Sequence, residues 1–329
     1  MYFSCFKIFE MVNQVPSLSN QVIYKRPWYL INGHLETIMP YLQYKIHEIP
    51  YERERLELQD GDFLDLDWIK NENDQLIIIS HGFEGNSRDH GVERFAKYFS
   101  QRNSDILMWH LRSCGKDLNR LPNIYSFNDL LDLHAVIAHA SKAGKHQSIC
   151  LMGFSMGAIT ILNYLSSGLI HPKIKGAAVV SVPMLLSETF KKLDSGISAL
   201  IYGRRFHAKL IRKLIRKAVQ FPDIWDECTI RASDSIYSLT EIILAAHGRK
   251  KSYFDEISPL HHLPQVSTPV LVINAKNDPL LGSSSYPDSG NSHIRSCYPS
   301  TGGHTGFSLR GKDHSWIELK SEDFFNSIG

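Results

Sequence analysis

Five short apolar runs recur along the chain, and each is apolar on both of its faces. They are Gln75–Ser80 (QLIIIS), Ile106–His110 (ILMWH), Ser148–Gly153 (SICLMG), Ala177–Val182 (AAVVSV) and Pro269–Asn274 (PVLVIN). A strand with one wet face alternates, whereas a continuous run belongs in a sheet covered on both sides. Helix-length segments separate the runs. Val92–Phe99 puts Val92, Phe95, Ala96 and Phe99 on one face, and Leu130–Ala140 and Met156–Leu165 have similar spacing. Buried strands alternating with helices predict an α/β fold, a mainly parallel sheet with helices on both sides. Ahead of it, residues 44–68 read as extended segments around Asp60-Gly61-Asp62, which predicts an antiparallel hairpin.

The alternation lapses after Val182. The stretch 184–263 is helical and polar, with no strong apolar strand, and its length suits a helical cap inserted into the core. The pattern resumes at Pro269 and ends in an amphipathic helix, about Ser315–Phe325. The expected organisation is an N-terminal extension over 1–25, a core made of 26–183 and 264–329, and the cap between them. A chain of 329 residues, 43% apolar and 21% charged, buries such a core and is neither disordered nor a coiled coil. A net charge of +2 gives no field for nucleic acid.

Five cysteines with no CxxC pair predict reduced thiols and a cytoplasmic setting. Zinc-ligand spacing and a strand-linked GxGxxG are both missing, so no metal or cofactor is expected. The aromatic stretch Met1–Met11 lacks the apolar core and cleavage site of a secretory signal. His261-His262 and Asp89-His90 lack further ligands at useful spacing and read as surface groups.

One pentapeptide carries chemistry. Gly153-Phe154-Ser155-Met156-Gly157 follows the run SICLMG and opens the helix MGAITILNYL. Strand, sharp turn and helix together make a nucleophile elbow, which lifts a serine hydroxyl clear of the sheet. The Met156 amide then lies at a helix N-terminus, able to stabilise an oxyanion. A serine needs a base. His304 in the glycine-rich Thr301–Phe307 loop is the candidate, with His314 its nearest rival. Asp278, just after PVLVIN, is the candidate acid and Asp288 the alternative. The order Ser155, Asp278, His304 is that of the α/β-hydrolase triad. The loop His81–Ser87 (HGFEGNS) offers the Phe83 N–H as second oxyanion donor, with His81 as a brace.

Taken together, these motifs resemble the YheT-like α/β-hydrolases, related to the embryogenesis-associated hydrolases of plants. Asn32–Ile38 (NGHLETI) resembles the family's N-G-H-x-x-T signature, and Asp60-Gly61-Asp62 its D-G-D hairpin. HGFEGNS resembles its H-G-x-x-G-x-S element and Gly302-Gly303-His304 its G-G-H-x-G-F. In Trp109–Gly115, Ser113 stands where the family carries glycine. The resemblance spans about 26–328. It implies carboxylesterase or lipase-like activity, with Ser155, Asp278 and His304 as the triad.

Gly203–Val219 is a basic amphipathic stretch holding seven Lys or Arg residues and no acid. It is expected to pack its apolar stripe on the core and solvate its charges; the alternatives are peripheral contact with an anionic membrane and attraction of an anionic substrate. The expected partner is a small ester or lipid-like molecule.

Overall fold

The computed structural model describes residues 23–43, 49–143 and 145–329. The extension up to residue 22 and the start of the hairpin region, 44–48, lie outside the described residues. The strands are β1 (Glu52–Glu57), β2 (Phe63–Ile69), β3 (Gln75–Ser80), β4 (Ser104–Trp109), β5 (Ser148–Phe154), β6 (Ile174–Val180), β7 (Val270–Ile273) and β8 (Ile294–Cys297). They form one sheet in the order β1-β2-β4-β3-β5-β6-β7-β8. β1 and β2 pair antiparallel, as do β2 and β4, and every other pairing is parallel. The predicted hairpin is thus β1–β2. Gly61 sits at its turn with φ +86°, a conformation that glycine adopts without steric cost.

Helix α1 (Gly33–Gln43) precedes the sheet, and α2 (His90–Ser100), α3 (Leu130–Ala143) and α4 (Met156–Ser166) lie between strands. Between β6 and β7 there are only helical elements. They run α5 (Leu186–Leu193), α6 (Gly196–Ser198), a π-helical turn (Ala199–Gly203), α7 (Arg204–Gln220), α8 (Glu227–Ala232), α9 (Ile236–Ala246) and α10 (Tyr253–Glu256), then two single 3-10 turns. The chain closes with α11 (Trp316–Ile328).

The continuous apolar strands have the reason expected of them. Ile77, Ile79, Met108 and Met152 pack on Phe95 and Phe99 of α2 and Phe324 of α11. Their neighbours Leu76, Ile78 and Leu151 face the other way, towards Val136 of α3 and Ile161 of α4. Each such fully buried side chain contributes roughly 1.5–3 kcal/mol. Leu210 and Leu214 of α7 join this second cluster, so the inserted helices are anchored to the core by burial. A buried Arg94–Glu318 pair at 2.8 Å ties α2 to α11.

Candidate active site

The chain reverses sharply between β5 and α4. Ser155 stands at that point with φ 52° and ψ −115°, in a region L-residues avoid. Its N–H donates to the Val180 carbonyl of β6 at 2.9 Å, which helps to hold the turn. The flanking glycines are required by close approach. A Cβ on Gly153 would lie 2.7 Å from the Ala158 Cα, and one on Gly157 would collide with the carbonyls of Ser80 and His81. Strain of this kind costs about 1–3 kcal/mol and persists only where the surroundings enforce it.

The acid and the histidine meet. Asp278 follows β7, and its carboxylate is fully buried. One oxygen accepts the Leu280 N–H at 2.8 Å, and the other accepts from His304 Nδ1 at 2.8 Å. A carboxylate only accepts, so Nδ1 carries the proton and Nε2 is left as the basic nitrogen. Ser155 and His304 line one cavity of about 630 Å³, together with Phe83 and Met156. Of the rivals, Asp288 accepts, among the described residues, only from the Gly290 N–H, at 3.4 Å, and His314 pairs with Asp313 at 3.3 Å.

Both candidate oxyanion amides are unspent. Met156 opens α4, so its N–H has no carbonyl one turn earlier within the helix. No hydrogen bond from the Phe83 N–H is made among the described residues. Gly82 packs against Ser155, within 3.3 Å of its Cβ for any added methyl. His81 braces this loop. It is fully buried, its Nδ1 meets the Gly82 carbonyl at 2.8 Å, and its Nε2 accepts the Leu111 N–H at 3.1 Å. Burial, with His110 nearby, pushes its pKa down to about 3, so it stays neutral.

Sequence reasoning gave NGHLETI a family label but no task. In the structure, α1 binds the loops of both the acid and the histidine. Thr37 Oγ1 accepts the His304 N–H at 2.8 Å and donates to the Gly33 carbonyl at 2.7 Å. Asn277 Oδ1 accepts the Gly303 N–H at 3.1 Å, while its amide donates to buried Glu36. Ser181 Oγ accepts the Thr305 N–H at 3.0 Å. Gly303, at φ +63°, lies so close to α1 that a Cβ would sit 2.8 Å from the Thr37 nitrogen.

Two expectations change. Asp89 and His90 are half-buried rather than freely exposed, and both line the cavity. Burial pushes His90 down to about 3. The basic stretch does bury its apolar stripe, Leu210, Leu214 and Ala218, but it does not solvate all its charges. Lys213 meets the Glu84 carboxylate at 2.5 Å, and Lys209 donates to the Glu84 carbonyl. Lys217, fully buried, donates to the carbonyls of Asn119 and Leu121. These lysines recur every four residues; Lys213 and Lys217 are buried, while Lys209 stays exposed and reaches the Glu84 carbonyl from the cavity rim. Ser113 takes φ 62°, which explains a family preference for glycine at that position.

Strand order, strained serine turn and acid–histidine pair define an α/β-hydrolase. The sequence comparisons agree. The family described as serine aminopeptidase, S33, matches residues 71–232. YheT of Escherichia coli K12 is 25% identical over 90% of this chain and 91% of its own. A phospholipase, ABHD3 of Bos taurus, is 23% identical over 79% of this chain and 67% of its own. Among solved structures, the Pyrococcus furiosus esterase Pf2001 superposes with a TM-score of 0.60 at 17% identity, covering 87% of this chain and 97% of that one, which speaks for the fold. The chain therefore has the α/β-hydrolase fold and is similar to YheT-like proteins, whose relatives are described as esterase and phospholipase. Among the described residues no helix is long and apolar enough to cross a membrane, and no three His, Cys, Asp or Glu residues gather as a metal site.

Proposed function

We propose that this chain hydrolyses carboxylic esters through an acyl-enzyme on Ser155. The Ser155 oxygen attacks the ester carbonyl while His304 Nε2 takes its proton. The N–H groups of Phe83 and Met156 receive the oxyanion. His304 returns the proton to the departing alcohol, then draws one from the water that releases the acid. Asp278 keeps the imidazole in its Nδ1–H form and balances its cation. Residues 184–263 serve as the cap over a core of 26–183 and 264–329, and the cavity between them takes a short-chain or lipid-like ester.

The observation that carries this reading is the 2.8 Å bond from His304 to a buried carboxylate, on the cavity that also exposes Ser155. Thioesters and amides suit the same groups, so a panel matched in acyl chain ranks the three. A binding protein on this scaffold would leave Ser155 unreactive. A fluorophosphonate probe is expected to label Ser155. Asp278→Asn is expected to lower p-nitrophenyl ester turnover by about 10⁴-fold, because the imidazole loses its tautomer. An unlabelled Ser155, or Asp278→Asn at full activity, would reject the mechanism. A cytoplasmic setting fits the unpaired thiols of Cys114, Cys150, Cys228 and Cys297.

Peripheral membrane contact has its own support. Ile197 and Leu200, 60% and 57% exposed, precede Arg204 in one helical run. Binding to anionic vesicles is expected, weakened in Arg204→Glu/Arg216→Glu by about 1 kcal/mol per basic residue removed. Equal pelleting of both proteins with phosphatidylserine vesicles would dismiss this contact.

A further inference from the structure

Resting on the hydrolase reading, we propose that the cavity selects esters that carry an anionic group, a carboxylate or a phosphate, gripped by Arg205, Lys209 and Arg212 of α7. These residues are spaced i, i+4 and i+7, which puts them on one face of the helix. That face lines the cavity shared by Ser155 and His304.

Among the described residues, their charges are not paired directly with a carboxylate. Arg205 bonds the Tyr41 hydroxyl at 3.0 Å, and Lys209 donates to a neutral backbone carbonyl, that of Glu84. The Glu84 carboxylate is matched by Lys213. Asp89 is then the one carboxylate on the cavity wall, among the described residues, left to oppose three cations; burial pushes its pKa up, against the pull of Lys209 and Arg205, and one carboxylate cannot balance three positive charges. His90 adds no charge, since burial holds it neutral. The wall therefore carries surplus positive charge beside apolar Phe127, Ile159, Leu186, Phe190, Leu193 and Leu280. This pairing of an apolar bed and a cationic rail suits an amphiphile with an anionic end.

The rail also lies close to the reaction centre. Lys209 holds the carbonyl of Glu84, the residue after Phe83, whose amide we assign to the oxyanion. An anion bound there sits next to the ester under attack. Arg in particular offers paired donors that match carboxylate and phosphate oxygens.

Calorimetry on Ser155→Ala tests this without turnover. Octyl phosphate is expected to bind at least about tenfold more tightly than octanamide, and added Arg205→Gln/Arg212→Gln to erase the difference. Both arginines are exposed, and Arg212→Gln alone, with circular dichroism as the folding control, is expected to remove part of it. Equal binding of the two ligands, or a preference untouched by the arginine changes, would overturn the proposal. Turnover arms then locate the anion. Ethyl hydrogen suberate against ethyl hexanoate tests the acyl side, and 1-hexanoylglycerol 3-phosphate against 1-hexanoylglycerol tests the alcohol side. An anionic preference in kcat/KM in either pair supports the proposal, and none in both pairs sinks it. Fluorophosphonate labelling of the wild type judges the hydrolase reading separately. A labelled enzyme indifferent to charge loses the anion site alone.

Discussion

Ser155→Ala is expected to abolish ester turnover, with kcat falling by about 10⁶-fold, and His304→Ala to fall nearly as far. In the proposed mechanism the nucleophile and its base act as one unit, so the double variant should be no worse than either single variant. What survives is the background that the oxyanion amides and binding supply. Steady-state p-nitrophenyl ester kinetics on the three proteins provides the measurement. Turnover retained in Ser155→Ala would remove the acyl-enzyme from the mechanism. Stability should move the other way for a glycine at this position. Ser155 is held at φ 52°, and Ser155→Gly relieves that strain at some cost in unfolded-chain entropy.

Lys213→Met is expected to cost about 3–5 kcal/mol of folding stability, because it strands a buried carboxylate. The Glu84 side chain is fully buried and that of Lys213 is 9% exposed. Burial alone would push Lys213 down, but the Cys114 sulfur and Glu84 carboxylate hold it above its ordinary value. Tyr125 donates to the same Glu84 oxygen at 2.6 Å and cannot replace a charge. Urea unfolding reads the loss, and Lys213→Met/Glu84→Gln should recover part of it by removing the orphaned charge. A single variant as stable as the wild type would show the pair to be inert. Activity should suffer too, since Glu84, at φ 55°, adjoins the Phe83 amide.

Much of this was legible in the chain. β3 matches its run residue for residue, because a strand buried on both faces has no polar interruption to blur its ends. The elbow was legible because an apolar run leads into it and a helix leaves it, and because Gly153 is fixed by Ala158 within the same turn; Gly157 answers to the distant carbonyls of Ser80 and His81. The bonded lysines of α7 were not. Charge at 209, 213 and 217 reads as a wet face, and their partners, Glu84 and the carbonyls of Asn119 and Leu121, come from loops over ninety residues away. Asp89 and His90 misled for a similar reason, since a cavity wall is made by elements that meet only after folding. The family label on NGHLETI marked α1 as special, yet its work depends on contacts with residues 277 and 303–306.

Those contacts set an order of events during synthesis. The ribosome releases Glu36 and Thr37 early, and His304 with its glycines some 270 residues later. At bacterial-to-eukaryotic elongation speeds of roughly 5–20 residues per second, the early helix waits many seconds for the loops it will clasp. A nascent polypeptide can therefore form its serine turn long before His304 is made, and under the proposed mechanism chemistry starts only when these two distant parts of the sequence dock.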